Sequence, residues 1–289
     1  MNLDQYASVP TWGEYGLAAL KVLVFVLLLV ALWELINALT RFDDEHELFE
    51  KRNAPYAVVR VSIVLGQAFA MTPLLGVTAG GWSDVGTLLA WGIGVLVALL
   101  LVNLVVDRVV KHPGGLSAVH QSSMAAAVVK GGVLLASGLV FRSALSGTAP
   151  SIGIAVASTA VFAVLGLAGL VLAYWVLGFL GPFRRRGKQD DGSDLAAAII
   201  SAGVLIGLGL VMNTAIAGDF TGWTDGLLGF VVTFVAGFVL LVAVVWVIDL
   251  LIIRSRHMNQ IVANNEVLPA VVMSAMVVAV ALGVGSVVL

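Results

Sequence analysis

The 289-residue chain has no cysteine, which excludes disulfides and thiol chemistry. Charge is scarce as well. Asp, Glu, Lys and Arg together make up 11% of residues, and the formal balance is −2, which argues against a nucleic-acid partner. The first sixteen residues, MNLDQYASVPTWGEYG, hold no Lys or Arg. They lack the basic region that opens a cleaved signal peptide, so the first apolar helix is expected to direct insertion itself. No polar stretch is long enough to fold as a soluble domain, which confines any function to an apolar bundle and its short rims.

What is abundant is hydrophobic surface. Sixty per cent of residues are hydrophobic and the mean hydropathy is +1.07. A water-soluble fold would expose large apolar patches at that density, so the chain is predicted to be an all-α polytopic membrane protein. A helix needs about 20 apolar residues to cross the hydrocarbon core. Eight segments qualify: 17–39, 54–76, 84–107, 124–146, 152–180, 195–217, 225–253 and 267–289. The connections after spans 1, 3, 5 and 7 are polar and basic, whereas those after spans 2, 4 and 6 are short and rich in Gly, Ser and Thr. Every Lys and Arg except Lys21 and Arg142 falls on the first side. The positive-inside rule then predicts a multi-pass protein of the bacterial inner membrane with both termini outside the cytoplasm.

The sequence repeats. GGWSD at 80–84 recurs as TGWTD at 221–225, and with a one-residue slip the same alignment sets Asp107 on Asp249. This divides the chain into four-span units at 1–147 and 148–289. A finer repeat joins the even spans: RNAPYAVVR (52–60), SSMAAAVVK (122–130), SDLAAAIIS (193–201) and NEVLPAVVM (265–273). Asn53, Ser123, Asp194 and Glu266 share one column, and the first three are good helix N-caps. Four residues on stand Ala57, Ala127, Ala198 and Ala270, small enough to let membrane helices approach closely. Successive hairpins share one orientation, which predicts four helical hairpins in a parallel, pseudo-symmetric bundle.

These cap-and-alanine stretches, with the small-residue helices after them, resemble the YjfL-type family of small bacterial inner-membrane proteins, a domain family of unknown function. The resemblance implies one four-span unit per typical member, and two fused copies here. It brings no catalytic residue and no substrate. The fourth stretch departs from the pattern, with Glu266 at the cap and Leu268 in place of a small residue.

Charges at membrane depth are costly, about 2.5–3.5 kcal/mol each on insertion scales, and they usually face protein or water. Glu34, Arg60, Asp107, Lys130 and Asp249 are the candidates for an ion or proton path. Arg60 and Lys130 lie seven residues past their caps, about 10 Å along a helix. The competing expectation is structural: pairs Glu34–Arg60 and Asp107–Lys130 that hold their hairpins together. Asp249 stands out, because its hairpin has Met273 where Arg60 and Lys130 stand in the first two. Poor compensation predicts a functional acid there, with a snorkelling contact to Arg254 or Arg256 as the plain alternative. Gln67, Asn103 and Asn213 extend the polar track.

No catalytic residue is expected. Asp107 and Asp249 sit where a membrane aspartyl protease would carry its acids, yet VVDRV and VIDLL lack the flanking glycine of that class. HELFE at 46–50 has Glu50 where a zinc motif needs a second His. No metal and no cofactor are predicted. Arg184, Arg185, Arg186 and Lys188 in RRRGK suit anionic lipid headgroups as well as topology. The expected partners are the lipid bilayer, a homo-oligomer or a membrane partner protein. The leading expectation is a small-solute or ion transporter or channel. The alternative is a non-transporting scaffold that binds lipid or a partner protein in envelope maintenance. A water-filled cavity reaching Asp249 would favour the first, and a dry bundle the second.

Overall fold

A computed structural model describes residues 12–40, 44–76, 81–109, 123–177, 194–251 and 257–287. Eight long apolar helices run through them: α1 Trp12–Thr40, α2 Ala54–Met71, α3 Trp82–Val109, α4 Met124–Ala144, α5 Ile152–Leu177, α6 Leu195–Ile216, α7 Trp223–Leu251 and α8 Val267–Val287. All eight contain a stretch long and apolar enough to cross a membrane, and the described residues contain no strand. The N-termini of α1, α3 and α7 begin at Trp12, Trp82 and Trp223 and mark one end of the bundle, here the tryptophan end. The opposite end carries the polar, basic connections.

Local sequence starts the even helices. The side chains of Asn53, Ser123 and Asp194 accept the backbone N–H three residues on, at 3.2, 3.3 and 3.2 Å. Pro55 sits in the first turn of α2, where a missing N–H costs little. The fourth cap differs. Asn265, at φ +51°, turns its side chain onto α6 and accepts the Ala196 N–H at 2.9 Å.

The helices form two layers. The even ones stand side by side in a row, α2–α4–α6–α8, and these are the largest helix contacts in the molecule. The odd ones lie on one face of that row: α3 across α2 and α4, α5 across α4 and α6, and α7 across α6 and α8. α1 leans on α3, where Lys21 meets Asp84 at 3.1 Å and the Gly76 carbonyl at 3.0 Å. Burial follows position. The spans of α4 and α6 are 61% and 67% buried, against 17–28% for the odd helices. Four hairpins are present, but contacts between neighbouring hairpins outweigh those within them.

Small residues make the row possible, and they recur in register. The ninth residue after the cap on one even helix meets the eighth on the next: Ser62 with Gly131, Gly132 with Ala202, Gly203 with Ser274. The thirteenth meets the fifteenth: Gly66 with Gly138, Ala136 with Gly209, Gly207 with Ala281. A Cβ at Gly132 would stand 2.7 Å from the Ala202 Cα, and one at Gly209 2.9 Å from the Ala136 Cα. Either is nearer than real side chains come. Without a hydrophobic driving force inside lipid, such close backbone packing is what holds neighbouring helices together.

Candidate functional site

Apart from the buried Lys21–Asp84 pair at the tryptophan end, the charged groups at membrane depth lie toward the basic end, and the hairpins treat them differently. In the first hairpin, Arg60 is 2% exposed. It donates to Asp44 at 2.6 Å, to the Tyr56 hydroxyl and to the Asn37 side chain. The Tyr56 hydroxyl in turn donates to Asp44. The guanidinium carbon also lies 5.2 Å from the Trp33 ring centre and 5.0 Å from that of Tyr56, within cation–π range.

The expected Glu34–Arg60 pair does not form. Glu34 lies on the exposed face of α1, whereas Trp33 and Asn37 are half-buried beside the buried Leu32 and Ile36 and reach Arg60. A helix turns about 100° per residue, so residues 33 and 37 share a face that residue 34 leaves.

In the second hairpin the expected pair does form. Lys130 donates to Asp107 at 2.6 Å, and both side chains are about nine-tenths buried. Asn37–Arg60 and Asp107–Lys130 are each 23 residues apart, so they are the same contact in two repeats. That equal spacing was available in the sequence and points to Asn37, not Glu34.

In the fourth hairpin Asp249 stands at the matching position with a one-residue slip. Its partner is neither Arg60-like nor Lys130-like, since Met273 is fully buried in the apolar core. Instead one carboxylate oxygen accepts the Met258 N–H at 2.7 Å, at the start of the short helix Met258–Ala263, and the other lies 3.5 Å from His257 Nδ1. A carboxylate suits that place, because the first turn of a helix has free N–H groups. Arg254, Arg256 and the cluster Arg184, Arg185, Arg186 and Lys188 lie outside the described residues.

Of the other polar groups, Gln67 is fully buried and donates to the Gly92 carbonyl at 3.0 Å, stitching α2 to α3. At the rim, Glu47 binds Lys51 at 2.6 Å and Asn53 at 3.0 Å. The Lys51 and Asn53 hydrogen bonds hold its carboxyl below the usual glutamate range. His46 pairs with Glu50, and no three metal-ligating side chains converge among the described residues.

The sequence reading missed a cavity. At the tryptophan end a hollow of about 480 Å³ opens between α3, α5, α7 and the ends of α4 and α6. Thr87, Ser158 and Thr159 give it hydroxyls, Trp91, Phe162 and Phe230 give it aromatic wall, and Asp219 and Asp225 stand among its lining. Asp219 accepts both the Thr148 hydroxyl and its N–H at 2.7 Å, and those bonds lower its pKa. The signal was the Gly, Ser and Thr content of the connections there. Below the hollow, Phe230 stacks on Phe234, which contacts Phe238, and Met212 and Leu170 fill the space beside them. Asp249, Asp107 and Lys130 do not line the cavity.

The family described as Domain of Unknown Function (DUF350) matches residues 10–145 and again residues 149–288. No curated protein and no solved structure matches the chain.

Proposed function

The chain belongs to the DUF350 family, in two tandem copies, and from that premise we propose that it is a membrane scaffold that holds lipid or a partner protein rather than a conduit. The observation that carries this is the closed middle. Glycine and alanine bring the even helices into backbone contact along the whole row. The cations at depth already have carboxylate partners, Asp44 for Arg60 and Asp107 for Lys130. Between the cavity and those pairs stands a mainly aromatic and aliphatic core of Leu170, Met212, Phe230 and Phe234, and the buried Ser62 and Ser137 nearby spend their hydroxyls on carbonyls of their own helices. The work is then left to surfaces: the lipid-facing helices and the basic connections. RRRGK suits anionic headgroups there, each cation adding about 1 kcal/mol near a charged membrane surface.

A second reading is favoured by the cavity itself. A transporter closed toward the basic end would keep a hollow of this kind on the other side, with Asp249 as the protonatable group beyond the apolar core. Purified protein in liposomes, assayed for flux of several cations and under pH gradients, separates the two. The scaffold reading expects no protein-dependent flux. Flux that Asp249→Asn abolishes would overturn it.

The same charge asymmetry supports a bacterial inner-membrane location with the basic end in the cytoplasm. Labelling residues 45 and 187 from the cytoplasm, and 2 and 289 from outside, is the expected topology. Cytoplasmic labelling of both termini would reverse it.

A further inference from the structure

The row of even helices is an open series. One contact joins α2 to α4, α4 to α6 and α6 to α8, and it uses the same columns each time: ninth with eighth, and thirteenth with fifteenth, counted from the cap. Such a head-to-tail contact has two different faces, and a series of them ends with one face unused at each edge. On α8 the unused columns are Ala275 and Ala279, and both are exposed. A Cβ added at Gly283, one turn further on, would meet nothing within 4 Å. On α2 the unused columns are Val61, 54% exposed, and Ala68, half-buried. The other faces of these two helices are engaged: Ser274 and Ala281 on α8 against α6, and Ser62 and Gly66 on α2 against α4.

We propose that copies of this chain associate edge to edge in the membrane, α8 of one against α2 of the next, by repeating the contact that already joins the even helices within each copy. Ala279 then faces Ala68, as Ala136 faces Gly209 inside the chain. Ala275 faces Val61, where the larger side chain holds the two helices slightly further apart than at the internal joints. The second copy brings its own covering helix, because α1 leads into α2 as α3 leads into α4. The occupant is a second copy because what each edge presents is the complement of the other edge. In lipid, where apolar area alone drives no association, this matching of small residues is what separates a protein partner from acyl chains. The inference stands apart from the scaffold reading and holds equally for a transporter.

The absence of native cysteine makes the test direct. Ala68→Cys and Ala279→Cys are made as separate chains, reconstituted in phosphatidylcholine–phosphatidylglycerol vesicles at low protein-to-lipid ratio, and oxidised. Mixed together, they are expected to give a reducible band at about twice the 30.0 kDa chain mass, as adjacent Cβ atoms at such a joint permit. Each variant alone is expected to stay at the single-chain mass. A chain carrying both cysteines gives higher multimers or a closed ring. In parallel, particle counting on the wild-type protein in vesicles is expected to show multimers, and Ala279→Trp to shift them to single chains with unchanged helical circular dichroism. Three outcomes overturn the proposal: no cross-link in the mixture while both variants remain helical, self-linking of Ala279→Cys alone as strong as the mixture (a two-fold contact), or single wild-type chains throughout. If the cysteine variants lose helicity, the wild-type particle count decides.

Discussion

Asp107 and Asp249 align between the two halves of the chain with a one-residue slip, yet they are held by different physics. Asp107 faces Lys130 across its hairpin at 2.6 Å, in surroundings that leave either side chain about one-tenth exposed. Asp249 has no such cation on the next span, where Met273 is buried in the apolar core, and takes the N-terminus of a short helix with His257 beside it. The first acid is neutralised by a full charge on the next span. The second is held by a backbone N–H at the rim. Duplication has kept the acid while its partner changed, and the first N–H of the short helix Met258–Ala263 meets it. A repeat position therefore predicts where a polar group stands, but not what it does.

Lys130→Met sharpens that contrast most. It strands Asp107 away from water, and a buried pair broken on one side costs about 3–5 kcal/mol. Thermal unfolding in detergent should show the loss, and adding Asp107→Asn should recover most of it. Additive effects would mean that the two groups do not interact. Asp249→Ala comes next, at about 1–2 kcal/mol for a lost helix cap. Asp249→Asn keeps an acceptor oxygen and should cost less than Asp107→Asn. If it costs more, Asp249 carries a charge whose partner lies among the connecting residues.

Glu47 extends the comparison to a rim acid held by both kinds of partner, a Lys51 ammonium and the Asn53 amide. Its carboxyl is lowered, chiefly by the Lys51 hydrogen bond. The stabilisation is thus complete above the ordinary glutamate pKa and fades as pH falls through the lowered one. Proteolysis after Lys51 and Arg52 should stay slow at neutral pH and speed up only in acid below that range. Glu47→Gln should flatten the profile. The smallest effect belongs to Glu34→Gln. Glu34 is exposed and makes no bond to Arg60, so stability should move by less than about 0.5 kcal/mol. A larger loss would restore the pair that the structure rejects.

The eight spans, the three polar caps and the duplicated unit were legible in the sequence because each rests on local chemistry. Helix length against bilayer thickness, a side-chain oxygen at an N-cap, and the spacing of GGWSD and TGWTD need no knowledge of the fold. The Asp107–Lys130 pair was legible for a similar reason, as facing positions on consecutive spans. Glu34 misled because a depth argument fixes height along a helix and says nothing about azimuth. One residue of rotation put Glu34 outside and left Asn37 and Asp44 to hold Arg60.

By itself, then, the sequence determined that the chain carries eight helices long and apolar enough to cross a membrane, where α2, α4 and α6 begin, and at what depth its charges lie. Only the tertiary structure decided that the even helices form one layer under the odd ones, that a hollow opens between α3, α5 and α7, and that Asp249 caps a helix. These depend on which face each helix turns to a neighbour. In an almost uniformly apolar span the hydrophobic pattern has no preferred side, so rotation is set by small residues meeting across helices far apart in sequence.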